Sequence, residues 1–159
     1  MSDAADVADL RVVADYQFGA GAGAALFPET GDFELRRTKS GRPRQVYDGD
    51  DRVVSYGIDG RFRLGVAGGR RLTDALDAPL SRVVVGDESE PFVRDGKNVF
   101  AKFVQEVGEE IRQGDEVAVV HEEGGVLAVG RAELPAKAML DFESGMAVKV
   151  RNGAGEADQ

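Results

Sequence analysis

The residues best suited to contact an anionic ligand lie around a single glycine in the second half of the chain. Arg94 and Lys97 lie on either side of Gly96, and Asn98 follows, so two cations and one amide border a tight turn. Pro91 suits the first turn of a helix, and Gly96 suits the left-handed position that ends one. Such a turn can offer backbone N–H groups and the Lys97 and Asn98 side chains to one phosphate. The same residues also fit an ordinary connection between a helix and a strand.

A second group of candidate ligands lies in residues 33–72, where the charge departs from that of the whole chain. This segment carries ten basic and five acidic residues, a balance of +5, whereas the chain carries −9. Four short runs separated by Gly-containing turns predict an antiparallel meander. Its arginines could form a basic sheet face with Tyr47 and Tyr56 among them, or simply a solvated outer face. The arginines singled out as candidate anion ligands are Arg36, Arg37, Arg61 and Arg63.

The composition excludes several kinds of site. The chain has no cysteine and a single histidine, His121, so disulfides, thiol nucleophiles, cysteine-ligated zinc and multi-histidine metal sites are excluded. Acidic residues number 29, and only five of the 20 basic residues are lysine, which indicates a halophilic protein working in concentrated salt. The acidic N-terminus does not resemble a secretory signal, and no apolar run reaches the roughly 20 residues of a membrane span. We therefore expect a cytoplasmic protein with no membrane partner.

No set of residues in the sequence has the pattern of a catalytic centre. His121 has no cysteine or strained-turn serine to work with, which favours a surface or half-buried strand histidine. Ser89 precedes the helix at Pro91 and is better explained as part of its N-cap than as a nucleophile. The Gly/Ala run at residues 19–23 lacks the flanking elements of phosphate-binding loops, so close packing of two helices is the better explanation. We expect no enzyme activity, no metal and no cofactor.

Periodicity predicts the elements that position the candidate residues. Residues 7–18 have helical spacing, and residues 71–79 read as a short helix or linker before a domain boundary near Pro79. After the Gly96 turn, alternation predicts a strand over residues 99–104, in which Phe100 and Lys102 share one face. The remaining predicted elements are strands at residues 82–86, 117–122, 126–134 and 146–151, and a helix at residues 135–143.

Five segments of the second half carry a family resemblance, in order and spacing: residues 82–85, 90–104, 111–117, 127–132 and 145–151. Together they resemble a PUA domain, the small RNA-binding pseudo-barrel of pseudouridine synthases and archaeosine tRNA-guanine transglycosylases. Upstream, residues 14–27 and 46–49 resemble the patch-forming C2 domain that precedes PUA in those transglycosylases. The expected fold is α+β: an N-terminal helix plus antiparallel sheet domain over residues 7–76, then a PUA pseudo-barrel over residues 80–152, then a disordered tail over residues 153–159.

The resemblance implies RNA, specifically structured tRNA, as the ligand. Carried over by position, it points to Arg94, Gly96, Lys97 and Asn98, and less directly to Lys102, Lys149 and Arg151. The barrel with the catalytic aspartates and the Cys-rich zinc site of the full transglycosylase is not found in this sequence, so its activity is not carried over. We therefore expect a non-catalytic RNA-binding protein, accessory to tRNA modification and either free-standing or a subunit of a tRNA-modifying enzyme. The alternative is a protein-interaction module that docks onto an RNA-modification or ribosome-assembly enzyme.

Overall fold

The computed structural model of the chain describes the backbone of residues 3–155 and the side chains of residues 6–155. The chain divides between Leu76 and Asp77 into two compact units, which we call the N-terminal unit and the C-terminal unit. Within the described residues, no helix has both the length and the apolar character needed to cross a membrane. Of the tail predicted at residues 153–159, residues 153–155 are held by backbone hydrogen bonds, and residues 156–159 lie outside the described residues.

The N-terminal unit is an antiparallel sheet packed against helices. Its four strands follow one another in the order β1-β2-β3-β4, which confirms the predicted meander. The helix predicted at residues 7–18 begins earlier, at Asp3. The elements are α1 (Asp3–Phe18), α2 (Ala22–Leu26), β1 (Phe33–Arg37), β2 (Pro43–Asp48), β3 (Asp51–Tyr56), β4 (Phe62–Leu64) and α3 (Val66–Ala75).

The last helix of this unit lies several residues before its predicted position at 71–79. It begins directly after β4, with Gly65 at its N-cap position. A Cβ at Gly65 would overlap the carbonyl of Arg52, so glycine is required there. The helix ends at Ala75, and Leu76 is extended. A helix running to Pro79 is disfavoured because the residue before a proline avoids helical backbone angles.

One face of the sheet is buried and the other is not. A cross-strand row of apolar residues, Leu35, Val46, Val54 and Leu64, lies on the buried face, with at most 8% of any of them exposed. The next row lies on the opposite face, which we call the outer face, and consists of Arg36, Gln45, Ser55 and Arg63. Side chains alternate between faces along a strand, so the apolar row fixes the direction of the polar row.

The Gly/Ala run serves helix packing, as the sequence predicted. A Cβ at Gly23 would overlap the backbone of Arg11 in α1, so only glycine permits this close approach of α2 to α1. Asp15 adds a hydrogen bond by accepting the Gly23 N–H at 2.7 Å. Arg11 donates to the carbonyl of Phe27 at 2.6 Å. Glycine at this point is thus a packing requirement of the helical layer.

The C-terminal unit is a mixed six-stranded sheet that curls into a half-barrel, with strand order β6-β10-β9-β8-β5-β7. Strands β5 and β8 pair in parallel, and the other pairings are antiparallel. With the N-terminal unit, this confirms the predicted α+β class. The elements are β5 (Arg82–Val85), α4 (Glu90–Arg94), β6 (Val99–Phe100), a 3-10 turn (Ala101–Phe103), β7 (Glu106–Val107), β8 (Glu116–His121), β9 (Val126–Ala132), α5 (Ala136–Asp141) and β10 (Met146–Gly153).

The strand predicted over residues 99–104 is wrong beyond Phe100. After two paired residues the chain enters the 3-10 turn, which closes through a hydrogen bond from the Val104 N–H to the Ala101 carbonyl at 3.0 Å. The predicted faces are nevertheless retained, since Val99 and Ala101 are buried while Phe100 and Lys102 are exposed. The turn therefore keeps an aromatic and a cation on one surface.

Candidate nucleic-acid interface

The Gly96 turn is the C-cap of helix α4, and two of its backbone N–H groups donate hydrogen bonds to carbonyls of that helix. Gly96 has a φ of 93°, and its N–H donates to the carbonyl of Val93 at 2.9 Å. The Lys97 N–H donates to the carbonyl of Phe92, also at 2.9 Å. This is the Schellman pattern, in which these bonds satisfy the last carbonyls of the helix. The prediction that the turn presents these two N–H groups to a phosphate is therefore wrong.

Two further residues of the predicted site hold the turn in place. The side-chain oxygen of Asn98 accepts the backbone N–H of Val150 at 2.9 Å, which joins the turn to β10. Arg94 donates to Glu90 at 2.9 Å, one helical turn away, and to the carbonyl of Gly155 at 3.3 Å. Both side chains fix the position of the turn relative to the sheet.

Arg151 has a similar structural role in the closing strand. Its two terminal nitrogens donate to both carboxylate oxygens of Glu116 on β8, at 3.0 and 2.5 Å. The Glu116 side chain is only 6% exposed, whereas the Arg151 side chain is 30% exposed, so the carboxylate is the buried partner of the pair. Lys149, by contrast, is exposed on β10 opposite Arg131 of β9.

Beside the turn lies an open apolar groove of about 500 Å³. Phe92 of α4 and Phe100 of β6 border it with 62% and 46% of their surfaces exposed. Val93 and Val99, each 2% exposed, lie beneath them as part of the core. The groove is lined by Glu88, Ser89, Phe92, Val93, Lys97, Asn98, Val99, Phe100 and Phe103.

Cations lie at the edge of this groove. Lys97 lines it with 67% of its side chain exposed, and its amine is 3.9 Å from the equally exposed carboxylate of Asp95. The Lys102 amine lies 5.1 Å from the ring centre of Phe103, another lining residue. Exposed apolar rings beside flexible amines can stack a base and contact its phosphate. The groove has the chemistry of a nucleotide site.

The sequence patterns did not identify Phe92, Phe100 and Phe103, which line this groove. Phe100 carried a usable signal, because alternation places it on the same outward face as Lys102. Phe92 precedes the buried Val93 in α4, and no local pattern distinguishes an exposed helical phenylalanine from a buried one. A groove formed by α4, the turn and the 3-10 turn becomes visible only when these elements are placed together.

The predicted basic face of the N-terminal unit is smaller than expected. Arg36 lies on the outer face with its guanidinium 3.8 Å from the ring centre of Tyr47, a stacked arrangement. Arg63 lies on the same face and approaches Asp59 at 3.8 Å. Tyr56 is on the buried face instead, where its ring packs on Phe62 at 5.0 Å.

Two of the predicted arginines point elsewhere. Arg37 follows Arg36 in β1, and adjacent strand residues point to opposite faces. Its guanidinium donates to Asp6 at 2.6 Å and to the carbonyl of Gly41 at 3.0 Å. Arg61 precedes β4, is exposed, and lines a second groove beside α1. The outer face therefore offers Arg36, Tyr47 and Arg63 rather than all four arginines.

His121 lies at the end of β8, where it is 8% exposed. Its Nε2 is 2.5 Å from Asp87 and 3.9 Å from Glu90. This hydrogen bond with Asp87, together with nearby carboxylates, raises the pKa of His121 above 6.5. Its Nδ1 accepts the N–H of Glu123 at 3.1 Å, so the neutral ring carries its proton on Nε2 and donates it to Asp87.

The three side chains could hold a metal ion, since their ligand atoms lie within 4.8 Å of one another. A metal-bound histidine, however, usually donates its other ring N–H to an acceptor. Here the other nitrogen of His121 is itself an acceptor. The arrangement therefore suits a hydrogen bond that ties β8 to the segment before α4. Ser89 in that segment occupies the N-cap position, though its hydroxyl makes no capping hydrogen bond.

Comparison with known proteins agrees with the division of the chain. Residues 8–79 match the family described as the patch-forming domain C2 of tRNA-guanine transglycosylase, and residues 81–154 match the PUA domain. A tRNA-guanine(15) transglycosylase of Methanobrevibacter smithii is 45% identical over 150 residues, which cover 93% of this chain. The matched region is 22% of that relative's length, so the chain spans less than a quarter of it.

Solved structures show the same architecture. A hypothetical protein from Pyrococcus horikoshii has a TM-score of 0.75 and 25% identity, with 98% of this chain and 93% of that chain covered. A conserved PUA domain protein from Thermoplasma acidophilum has a TM-score of 0.66 and 21% identity, with 94% and 91% covered. The latter likeness is one of fold. The matched segments correspond to the two units divided near Leu76.

Proposed function

We propose that this chain, which belongs to the PUA-domain proteins and carries a C2 domain of the tRNA-guanine transglycosylase type, binds structured RNA without carrying out chemistry itself. Its preferred ligand is tRNA, and its role is accessory to tRNA modification. The relatives are named for a reaction on tRNA, and this chain matches about a quarter of their length. The RNA-binding role rests chiefly on the groove beside the Gly96 turn.

Three features of the groove support a nucleotide ligand. Phe92 and Phe100 are 62% and 46% exposed although each is next to a buried residue, Val93 and Val99 respectively. Stacking of one base on an aromatic side chain contributes about 1–3 kcal/mol and tolerates any base. Lys97 lines the groove and the Lys102 amine lies 5.1 Å from the ring centre of Phe103, so both amines are near enough to the rings to contact a phosphate attached to that base. The site therefore takes an unpaired nucleotide, because a base inside a helix cannot offer its face to a ring.

The other predicted ligands in this unit divide into two roles. Lys97, Lys102 and Lys149 are exposed and act as direct contacts. Gly96, Asn98, Arg94 and Arg151 hold the turn and the closing strand through the bonds described above. A rigid, pre-formed site loses less conformational entropy when it binds. These positioning residues thus increase the affinity without touching the ligand.

The outer face of the N-terminal unit supplies a second contact. Arg36 is stacked on Tyr47, and this geometry presents a fixed guanidinium to a phosphate or a sugar. Arg63 lies on the same face, three strands away on β4. Contacts of this kind position RNA by its backbone and carry no sequence information. The face therefore contributes affinity to any helix of suitable shape.

The acidic composition is that of a protein which functions in a cytoplasm with a high salt concentration. At 1 M salt the screening length is about 3 Å, so phosphate contacts by exposed lysine weaken strongly. Stacking depends little on screening, since it buries apolar surface. A net charge of −9 is then compatible with RNA binding, because the groove supplies affinity that salt does not remove. Aromatic contacts are accordingly expected to dominate under these conditions.

The test is the binding of purified protein to tRNA in molar KCl, measured by fluorescence anisotropy for the wild type and for Phe92→Ala. We expect saturable binding that weakens about tenfold in the variant, the equivalent of roughly 1.4 kcal/mol. The matched control is Leu140→Ala, which removes an equally exposed apolar side chain from α5 outside the groove. Absence of binding by folded wild-type protein would contradict the proposal and favour a role in protein interaction.

A further inference from the structure

A row of charged side chains crosses three neighbouring strands of the C-terminal unit. Glu116 of β8 lies opposite Arg131 of β9, and Arg131 lies opposite Lys149 of β10. Residues directly opposite each other in antiparallel strands project from the same face of the sheet. The row therefore places two cations, Arg131 and Lys149, side by side on neighbouring strands.

Two carboxylates near these cations are each engaged by an arginine. Glu116 accepts hydrogen bonds from both terminal nitrogens of Arg151. Glu133 accepts from Arg131, two residues away along the chain, at 3.2 and 3.4 Å. Within the described residues, the exposed side chain of Lys149 makes no hydrogen bond or ion pair. Neither of the two carboxylates therefore neutralises Lys149.

The pairing of Lys149 with Arg131 is unfavourable in the free protein. Like charges directly opposite each other destabilise a sheet. The composition of the chain makes this pairing unexpected, since acidic residues outnumber basic ones by 29 to 20 and either exposed position could carry an acid. An anion between the two side chains would neutralise both charges and replace the repulsion with attraction.

The pair of cations lies on the same face of the sheet as one ring of the groove. Val99 of β6 and Val148 of β10 lie opposite each other, and both are buried in the core. The residues that follow them, Phe100 and Lys149, are exposed, so both project from the opposite face. Neighbouring strands are about 4.8 Å apart, so Lys149 lies one strand and Arg131 two strands beyond the strand that carries Phe100. An RNA strand that leaves the groove over Phe100 in this direction meets the two cations next.

We propose that Arg131 and Lys149 together bind one backbone phosphate of the RNA strand that leaves the groove. The proposal rests on the RNA-binding function proposed above and adds Arg131 to the residues that contact the RNA. Arginine can donate to two phosphate oxygens with its planar guanidinium, and lysine adds a compact charge. Because the contact is to the backbone, it fixes the position of the strand without reading its sequence.

The carboxylates on this face leave Arg131 available for the contact. Glu116 lies opposite Arg131 and would compete with the phosphate, but its oxygens are bound by Arg151 instead. The ion pair of Arg131 with Glu133 can be exchanged for a phosphate, because the Arg131 side chain is 52% exposed and surface ion pairs contribute little to stability. Arg151 is therefore a positioning residue of the phosphate site rather than one of its ligands.

The test combines the stability of the free protein with its affinity for tRNA, in Lys149→Gln, Arg131→Gln and the double variant. Urea unfolding without RNA and tRNA binding by fluorescence anisotropy are both measured at the lowest KCl concentration that keeps the protein folded. Lys137→Gln, which neutralises an exposed lysine of α5, is the control and should change neither quantity. Lys149→Gln should raise the urea midpoint and lower the tRNA affinity roughly threefold to tenfold. The gain in stability should be absent when residue 131 is already glutamine, and Arg131→Gln should also lower the affinity.

A purely structural role of Lys149 would not change stability and affinity in opposite directions. A urea midpoint that Lys149→Gln leaves unchanged or lowers would overturn the proposal, because the two cations would not repel each other. Unchanged tRNA affinity in both single variants, with weaker binding by Phe92→Ala, would overturn the phosphate site while the RNA-binding function stands. Absence of tRNA binding by the folded wild type would overturn both.

Discussion

The side-chain oxygen of Asn98 accepts the backbone N–H of Val150 at 2.9 Å, a contact between residues 52 positions apart. It joins the turn after α4 to the strand that closes the sheet. From its type and position alone, Asn98 was expected to contact RNA directly. Because its oxygen faces β10, we propose that Asn98 acts on binding by positioning Lys97 and Phe100.

Replacing Asn98 with alanine should destabilise the C-terminal unit by about 1 kcal/mol, the usual net contribution of such a hydrogen bond. The expected result is a lower urea midpoint with an unchanged dependence on denaturant. Asn98→Asp is the control, since it retains an acceptor oxygen facing the Val150 N–H. Equal loss of stability in both variants would contradict the assigned role of this oxygen.

Arg36 and Arg37 are neighbours in sequence but are predicted to respond differently to mutation. Arg36→Ala should weaken tRNA binding and lower the salt dependence of the affinity by about one phosphate contact, without a change in stability. Arg37→Ala should lower stability instead, because Arg37 bonds to Asp6 and Gly41. Binding titrations across a KCl series and urea unfolding separate the two effects. If Arg37→Ala reduced affinity in a fully stable protein, the assignment of faces would be wrong.

The link between His121 and Asp87 predicts a pH dependence of stability. The pKa of His121 is raised in the folded protein, mainly by the hydrogen bond to Asp87 and also by the charges of Asp87, Glu90 and Glu122. A histidine whose pKa is higher in the folded protein than in the unfolded chain stabilises the fold when it is protonated. This stabilisation is fully present below the pKa of the unfolded chain, about 6.5, and is lost as the pH rises through the pKa of the folded protein.

The measurement compares wild type with Asp87→Asn, which keeps an acceptor for Nε2 but removes the charge. The difference in free energy of unfolding between the two proteins should shrink as pH rises above about 6.5. Urea titrations at several pH values between 6 and 9 report it. A difference that stays constant over this range would mean that the charge of Asp87 does not act on His121.

The strands were predicted correctly where apolar and polar residues alternate regularly, and the prediction failed where this alternation is interrupted. The meander followed from four runs separated by glycine turns. In β3, however, Val53 and Val54 are both buried, because a bulge interrupts the pairing with β2. One extra residue in a strand moves every later side chain of that strand to the opposite face of the sheet. Tyr56 therefore lies on the buried face with Phe62, although it was expected among the arginines of the basic face.

The location of the candidate site was predictable, but the roles of its residues were not. Gly96 signalled a helix end, and the cations on either side of it signalled an anion site. The hydrogen-bond partners of Asn98 and Arg151 are distant in sequence, so no local pattern could show that these side chains were already engaged. Phe92 and Phe100 were missed for a related reason, since exposure depends on what packs around a ring.

If RNA binds at the groove beside the Gly96 turn, removal of the Lys97 charge should weaken binding most at the lowest KCl concentrations that keep the protein folded, where phosphate contacts are least screened. The measurement is the tRNA affinity of wild type, Lys97→Ala and the control Lys137→Ala over a series of KCl concentrations in which the protein is folded. Lys137 is an exposed lysine of α5 that does not line the groove. We expect weaker binding to all tRNAs for Lys97→Ala, with a salt slope smaller by about 0.7–0.9, and no change for Lys137→Ala. Unchanged affinity and slope for Lys97→Ala would contradict RNA binding at this groove.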